Sequence, residues 1–383
     1  MKTWIISAAA AFTLIAGVWA GGLWAQDNPG NSSETVAKPR KAASADATTN
    51  TDSSSLPAIP SKLSPKATKG NETDSDASFK AETNIVNVDV QVIDPHGNPI
   101  PGIPRDKFRI LEDNVPQTLT QYSVAQAPMT VAMVIEFSAR YQAYYSSGWR
   151  ETLTASYGFV QSLKPDDYVA IIAYDLQTKI LSDFSNDRAK TMDALSLLRI
   201  PGFSESNMFD ALADTADRMT KIEGRKAILL ISSGIDTFSK LTYDKARKAL
   251  QEAGVPVYCI EMLQIQRILA ESRMSATQNL DFLQGDNELK TFSKETGGQA
   301  YFPRFQGELP GVFQAISQAL RSQYSLGYSP NNQARDGKFR KLTVQLVNPG
   351  TNEPLKMLDS KTGKPIKYTV LAKAGYTAAR AVE

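Results

Sequence analysis

The chain has 383 residues, a net charge of +2 and 42% hydrophobic residues. That length holds about two domains of ~150 residues with tails, and so small a charge, with no basic stripe interleaved with aromatics, points away from nucleic acid and from a charged membrane surface. The single cysteine, Cys259, excludes an internal disulfide, and the single histidine, His96, sits in the turn-like string Asp94-Pro95-His96-Gly97-Asn98, so zinc sites and Ser-His or Cys-His machinery lack their usual parts.

Met1-Lys2 gives a short positive start, and an apolar run follows from Trp4 to Ala25 with small residues near its end. This is the pattern of a signal peptide over residues 1–25, with an uncleaved N-terminal anchor as the alternative. Either one exports the rest of the chain, to the periplasm or beyond, and gives it a membrane contact only through that segment. Residues 26–78 hold no aromatic residue and only four branched aliphatics, Val36, Leu56, Ile59 and Leu63. Such a composition buries too little apolar surface to offset chain entropy, so a disordered linker is expected.

Over 79–127 the alternation of Val86, Val88, Val90 and Val92 with polar residues predicts a half-buried strand. Phe108, Ile110, Leu119 and Tyr122 around Glu112-Asp113-Asn114 predict a hairpin. Similar signals return only in 329–383, where Leu342, Val344 and Leu346, then Tyr368 and Val370, alternate with polar residues. Neither piece has enough strands to stand alone. The two are expected to pair into one small β-sandwich around a domain inserted between them.

That central segment, 128–328, alternates strands with helices. Val131–Ile135, Tyr168–Tyr174, Ala227–Ile231 and Val255–Met262 are apolar runs of the kind buried on both faces, and helical patterns lie between them. Ile180–Phe184 reads as an antiparallel edge strand, Gln264–Asp286 as an insertion, and Glu288–Glu295 as a helix stopped by Gly297-Gly298. The expected fold class is α/β, a doubly wound and mostly parallel sheet of Rossmann-like type with the small flanking β-sandwich. Ligands of such sheets bind beyond the carboxyl ends of the strands.

Two strings end strands, Ile135-Glu136-Phe137-Ser138-Ala139-Arg140 and Ile231-Ser232-Ser233-Gly234-Ile235-Asp236, and a third, Ser204-Glu205-Ser206-Asn207-Met208-Phe209-Asp210, lies in a middle loop. In order and spacing they resemble the metal-ion-dependent adhesion site of von Willebrand factor A domains. Further strings, Phe108–Asn114, Glu295–Phe302, Tyr324–Tyr328 and Ala374-Gly375-Tyr376, are similar to the exported von Willebrand A-related proteins of Acidobacteria. The resemblance implies a non-enzymatic protein-binding module.

It also implies a magnesium site, and the ligand positions depart from that pattern. Glu136 stands for the first Asp, Ser138 is kept, Arg140 replaces the third ligand, Ser206 replaces a Thr, and Ser233 replaces the last Asp. Magnesium requires near-octahedral oxygen coordination with charge compensation, so no metal or other cofactor is expected. Glu136, Ser138, Arg140, Ser206, Asp210, Ser233 and Asp236 are instead expected to form a partner-binding rim. Arg140 either pairs with Glu136 and offers a fixed cation to an acidic partner group, or points to solvent. Asp210 is expected to stabilise the start of its helix, and Asp236 lies three residues from the lost carboxylate. The competing readings are a magnesium-dependent adhesion protein working through the residual ligands, a structural component of an envelope assembly, and a hydrolase, for which no catalytic constellation is visible.

Overall fold

The computed structural model describes residues 85–124, 127–139, 148–199, 203–358 and 363–380, all within one unit, Leu63–Glu383. The expected signal segment, the 26–78 linker and Arg140 lie outside the described residues.

In chain order the strands are β1 (Val86–Ile93), β2 (Phe108–Glu112), β3 (Val115–Gln117), β4 (Leu119–Val124), β5 (Met129–Glu136), β6 (Tyr168–Tyr174), β7 (Thr178–Ser185), β8 (Arg225–Ser232), β9 (Val257–Glu261), β10 (Ala300–Tyr301), β11 (Tyr324–Tyr328), β12 (Phe339–Leu346), β13 (Met357–Leu358), β14 (Pro365–Ile366), β15 (Thr369–Ala372) and β16 (Gly375–Thr377). The helices are α1 (Gly148–Ser162), α2 (Arg188–Ser196), α3 (Met208–Thr220), α4 (Tyr243–Ala253), α5 (Gln264–Ala270), α6 (Ala276–Thr296) and α7 (Leu309–Arg321).

The central sheet has the order β10-β9-β8-β5-β6-β7. Its strands are parallel except β7, which pairs antiparallel with β6. Unbroken apolar strands follow from covering both faces with helices. One face packs Val131, Met133, Ile135, Leu229 and Ile231 against α1 and α7. The other packs Ala132, Val134, Ile228 and Leu230 against α3, α4 and α6. Each such Leu or Ile, fully buried, contributes about 1.5–3 kcal/mol of transfer free energy.

The flanking sandwich is built from both ends of the described chain. One sheet runs β15-β1-β11-β4 and the other β16-β12-β2-β3, enclosing Val88, Val90, Val92, Phe108, Ile110, Tyr324, Leu326 and Tyr328. The β2–β3 turn places Asp113 and Asn114 at φ 48° and 67°, the positive-φ pair that a two-residue hairpin needs. Glu112, buried at the end of β2, accepts hydrogen bonds from Tyr328 Oη (2.6 Å) and Tyr376 Oη (3.0 Å), tying the leading segment to the trailing one.

Two elements differ from the sequence expectation. Tyr324–Tyr328, read as the close of the central segment, pairs with β1 and β4 inside the sandwich. A five-residue apolar strand does not encode which sheet it joins. Gln264–Asp286, read as an insertion, forms α5, a 3-10 turn and the first half of α6. Helix α6 starts at a capping box, with Ser275 Oγ accepting from Gln278 N and Gln278 Oε1 accepting from Ser275 N. The Ser-x-x-Gln signature was therefore present in the sequence.

Candidate functional site

The parallel strands end on residues that can hydrogen-bond. Glu136 closes β5, Tyr174 closes β6, Ser232 closes β8 and Glu261 closes β9. The register makes them one row across the sheet: Glu136 lies beside Tyr174, Ser232 beside Glu261, and Ile135 beside Ile231 one step earlier. All four are buried.

Glu136 is the hub. Its Oε1 accepts from Ser138 Oγ at 3.0 Å. Its Oε2 accepts from Ser232 Oγ (3.0 Å), Ser233 N (2.8 Å), Ser233 Oγ (2.8 Å) and, at the long end, Tyr174 Oη (3.5 Å). Tyr174 Oη makes its better bond, 2.8 Å, to Ser232 Oγ. The carboxylate is thus enclosed by hydroxyls and one backbone N–H, with no cation among its partners in the described residues. Burial pushes the Glu136 carboxyl above its ordinary range, and the bonds from Ser233, Ser232 and Ser138 pull it only partly back. Desolvation wins because neutral donors compensate a buried charge less than an opposite charge does. Burial first, and the neighbouring Glu136 second, raise Tyr174 well above its usual value.

Ser206 is fully buried in the loop before α3. Its backbone N donates to Thr237 Oγ1 at 2.9 Å, and its carbonyl accepts from Thr237 N and Phe238 N. Its own hydroxyl, like Asn207 Oδ1, has no partner among the described residues. Ser206 therefore reaches the loop after β8 through its backbone, while Glu136, Ser138 and Ser233 join through side chains.

Asp210 and Asp236 both bond to the loop after β8 or to the start of α3. The Asp210 carboxylate accepts from Lys240 N and Leu241 N, both at 2.9 Å. Asp236 Oδ1 accepts from Phe209 N at 3.3 Å and from Ser239 Oγ at 2.5 Å. Asn207, the N-cap of α3, makes no side-chain cap bond, so Asp236 satisfies a free N–H at that helix start. The two aspartates clamp the 236–241 loop onto α3. Asp210 acts by holding that loop, a bond pattern invisible from its place in the first helical turn. Asp236 is not among the Glu136 partners and does not replace the carboxylate missing at Ser233.

Sequence reasoning missed Ser232 and Tyr174, although each stands at the carboxyl end of an apolar run; Glu136 was marked by the resembled motif, to which neither belongs. Cys259 and His96 stay outside the site: the thiol is buried and pushed up to about 12, and His96 is exposed in the turn after β1.

No family model and no curated protein matches the sequence. Solved structures similar to part of the chain include proximal thread matrix protein 1 (PTMP1) from the mussel byssus, at 14% identity and TM-score 0.40, covering 55% of this chain and 50% of that one. The PilB minor pilin from Streptococcus sanguinis matches at 12% identity and TM-score 0.39, covering 51% and 62%. The vWF domain of the type V pili tip protein Mfa5 from Porphyromonas gingivalis matches at 14% identity and TM-score 0.40, covering 51% and 95%. The matched stretch thus spans half of the mussel protein and under two thirds of the pilin.

Proposed function

We propose that the chain is an exported, non-enzymatic protein-interaction module of the von Willebrand factor A type, working at the carboxyl edge of its central sheet without a metal ion. The observation that carries this reading is the meeting of the three loop strings at one edge, with the Glu136 carboxylate bonded to Ser138 and Ser233.

The donor set argues for metal independence. A magnesium site needs several oxygens at short range and enough negative charge to replace lost hydration. At the Glu136 hub one carboxylate is present, its Oε2 already bonded by Ser232 Oγ, Ser233 N and Ser233 Oγ and its Oε1 by Ser138 Oγ. The unpartnered Ser206 hydroxyl supplies one more oxygen and no charge. Glu136, Ser138, Tyr174, Ser232 and Ser233 bond one another into a continuous polar floor. Partner contacts would then come from the exposed loops above it, 203–205 and 237–238.

A photo-crosslinking residue placed at the exposed Ser204 of the full chain, in extract of the source cells, tests this. A single discrete product is expected, unchanged by EDTA, and absent when the crosslinker sits at Lys221, past the far end of α3. Loss of the product with EDTA would favour the metal-dependent reading, and equal products at both positions would remove the rim as the binding face.

A further inference from the structure

Beside the Glu136 floor the loop after β8 meets α6. Gly234, at φ +76°, has its backbone against Gly285, so closely that a Cβ on either would lie 2.8–3.0 Å from the other's backbone. That approach closes one wall of a cavity of about 230 Å³ between the loop and the helix. The volume is below the ~300–1,000 Å³ of pockets for drug-sized ligands and suits a single long side chain.

The chemistry of the lining is one-sided. Asp236 comes from the loop, and Asp281, Gln284 and Glu288 come from α6, at spacings that put them on one helical face. No lysine or arginine lines the cavity, and none of the three acids is in an ion pair among the described residues. Glu288 is the telling group. It is only 7% exposed and lines the cavity, and among the described residues its one side-chain bond is from Gln284 Nε2 to Oε1 at 2.9 Å. A buried carboxylate without a cation is expensive. Burial, and for Glu288 also the nearby Asp236, raise both carboxyls above their ordinary range, the state that an incoming positive charge would relieve.

The shoulder of the cavity is apolar. Leu280 is 64% exposed and lies on the stripe of α6 adjoining Gln284. Phe238, next to the lining Thr237, is 57% exposed. Exposed large apolar residues beside a concave acidic site mark a contact surface for an amphipathic partner segment. No group of three or more His, Cys, Asp or Glu that could hold a metal ion occurs among the described residues. An extended organic cation therefore fits the spacing of these acids better than a bare ion.

We propose that this cavity seats one lysine or arginine side chain, presented by a partner protein from a segment whose flanking residues are apolar. The assignment rests on the interaction-module reading and adds to it the chemistry of the partner. Asp236, Asp281 and Glu288 face the cation, and Leu280 and Phe238 cover the flanks.

The test is fluorescence anisotropy of the full chain with two labelled pentapeptides, one with lysine between two leucines and one with glutamine in its place. The lysine peptide is expected to bind about tenfold more tightly, with the advantage shrinking as salt rises. Glu288→Gln, and separately the exposed Asp281→Asn, should cut the advantage several-fold. Asp281→Asn keeps the test valid should the buried change impair folding. Equal binding of both peptides, or a lysine advantage untouched by Asp281→Asn, overturns the assignment. If the peptides fail while the Ser204 crosslink persists, only the cavity assignment falls; if both fail, the module reading falls with it.

Discussion

Glu136→Ala is expected to destabilise the protein by about 3 kcal/mol, read as a lowered urea midpoint at unchanged slope. The loss does not come from a salt bridge. Removing the carboxylate leaves the Ser138, Ser232 and Ser233 hydroxyls and the Ser233 N–H without their shared acceptor in a buried site. Each orphaned group costs on the order of 1 kcal/mol or more, less what the hydroxyls recover by turning to one another. Glu136→Gln separates acceptor from charge. Its amide oxygen can take the Ser233 bonds, and the buried position already disfavours the ionised form. The Gln variant should therefore lie within about 1 kcal/mol of wild type. A Gln variant as unstable as the Ala variant would show that the negative charge itself is required.

The second large effect is a pH dependence set by Glu261. This side chain, 1% exposed, ends β9 and accepts from Leu263 N (2.6 Å) and Gln264 N (2.7 Å). Burial pushes its carboxyl from 4.5 to about 8, with nearby Asp286 adding to the rise and the two backbone bonds opposing it. In the folded state the proton is held more tightly than in the unfolded chain. The contribution of this group to stability is thus full below about 4.5 and is lost as pH rises through about 8. Between pH 5 and 8 that loss amounts to about 3 kcal/mol. Glu136 titrates in the same direction, so wild type alone does not isolate Glu261. Glu261→Gln does: urea unfolding at pH 5, 6, 7 and 8 should show the variant gaining on wild type by about 3 kcal/mol across the range. Parallel pH profiles would mean that Glu261 ionises normally.

The alternation of apolar runs with helical patterns made the parallel sheet legible, because a strand buried on both faces leaves an unbroken run in the sequence. The split sandwich was legible for a different reason: Val86–Val92 and Leu342–Leu346 each lacked enough partners nearby. The destination of Tyr324–Tyr328 was not, since joining β1 and β4 depends on where α7 ends in space. At the site, Glu136, Ser138 and Ser233 were brought together by the resemblance of their strings to the adhesion-site motif, and they share hydrogen bonds here. The roles of Asp210 and Asp236 could not, because their partners, Lys240, Leu241 and Phe209, lie about 30 residues away across a loop closure. The acidic cavity was hidden for the same reason: it exists only where Gly234 lets α6 approach, and Gly285 on its own reads as a weak point in a helix.

The carboxylate at the end of β5 is committed to the protein's own donors rather than to a divalent ion. Isothermal calorimetry of manganese into the full wild-type chain at pH 7 tests it most directly. No saturable heat is expected up to millimolar manganese. A stoichiometric, micromolar binding event that disappears in Glu136→Gln would contradict it.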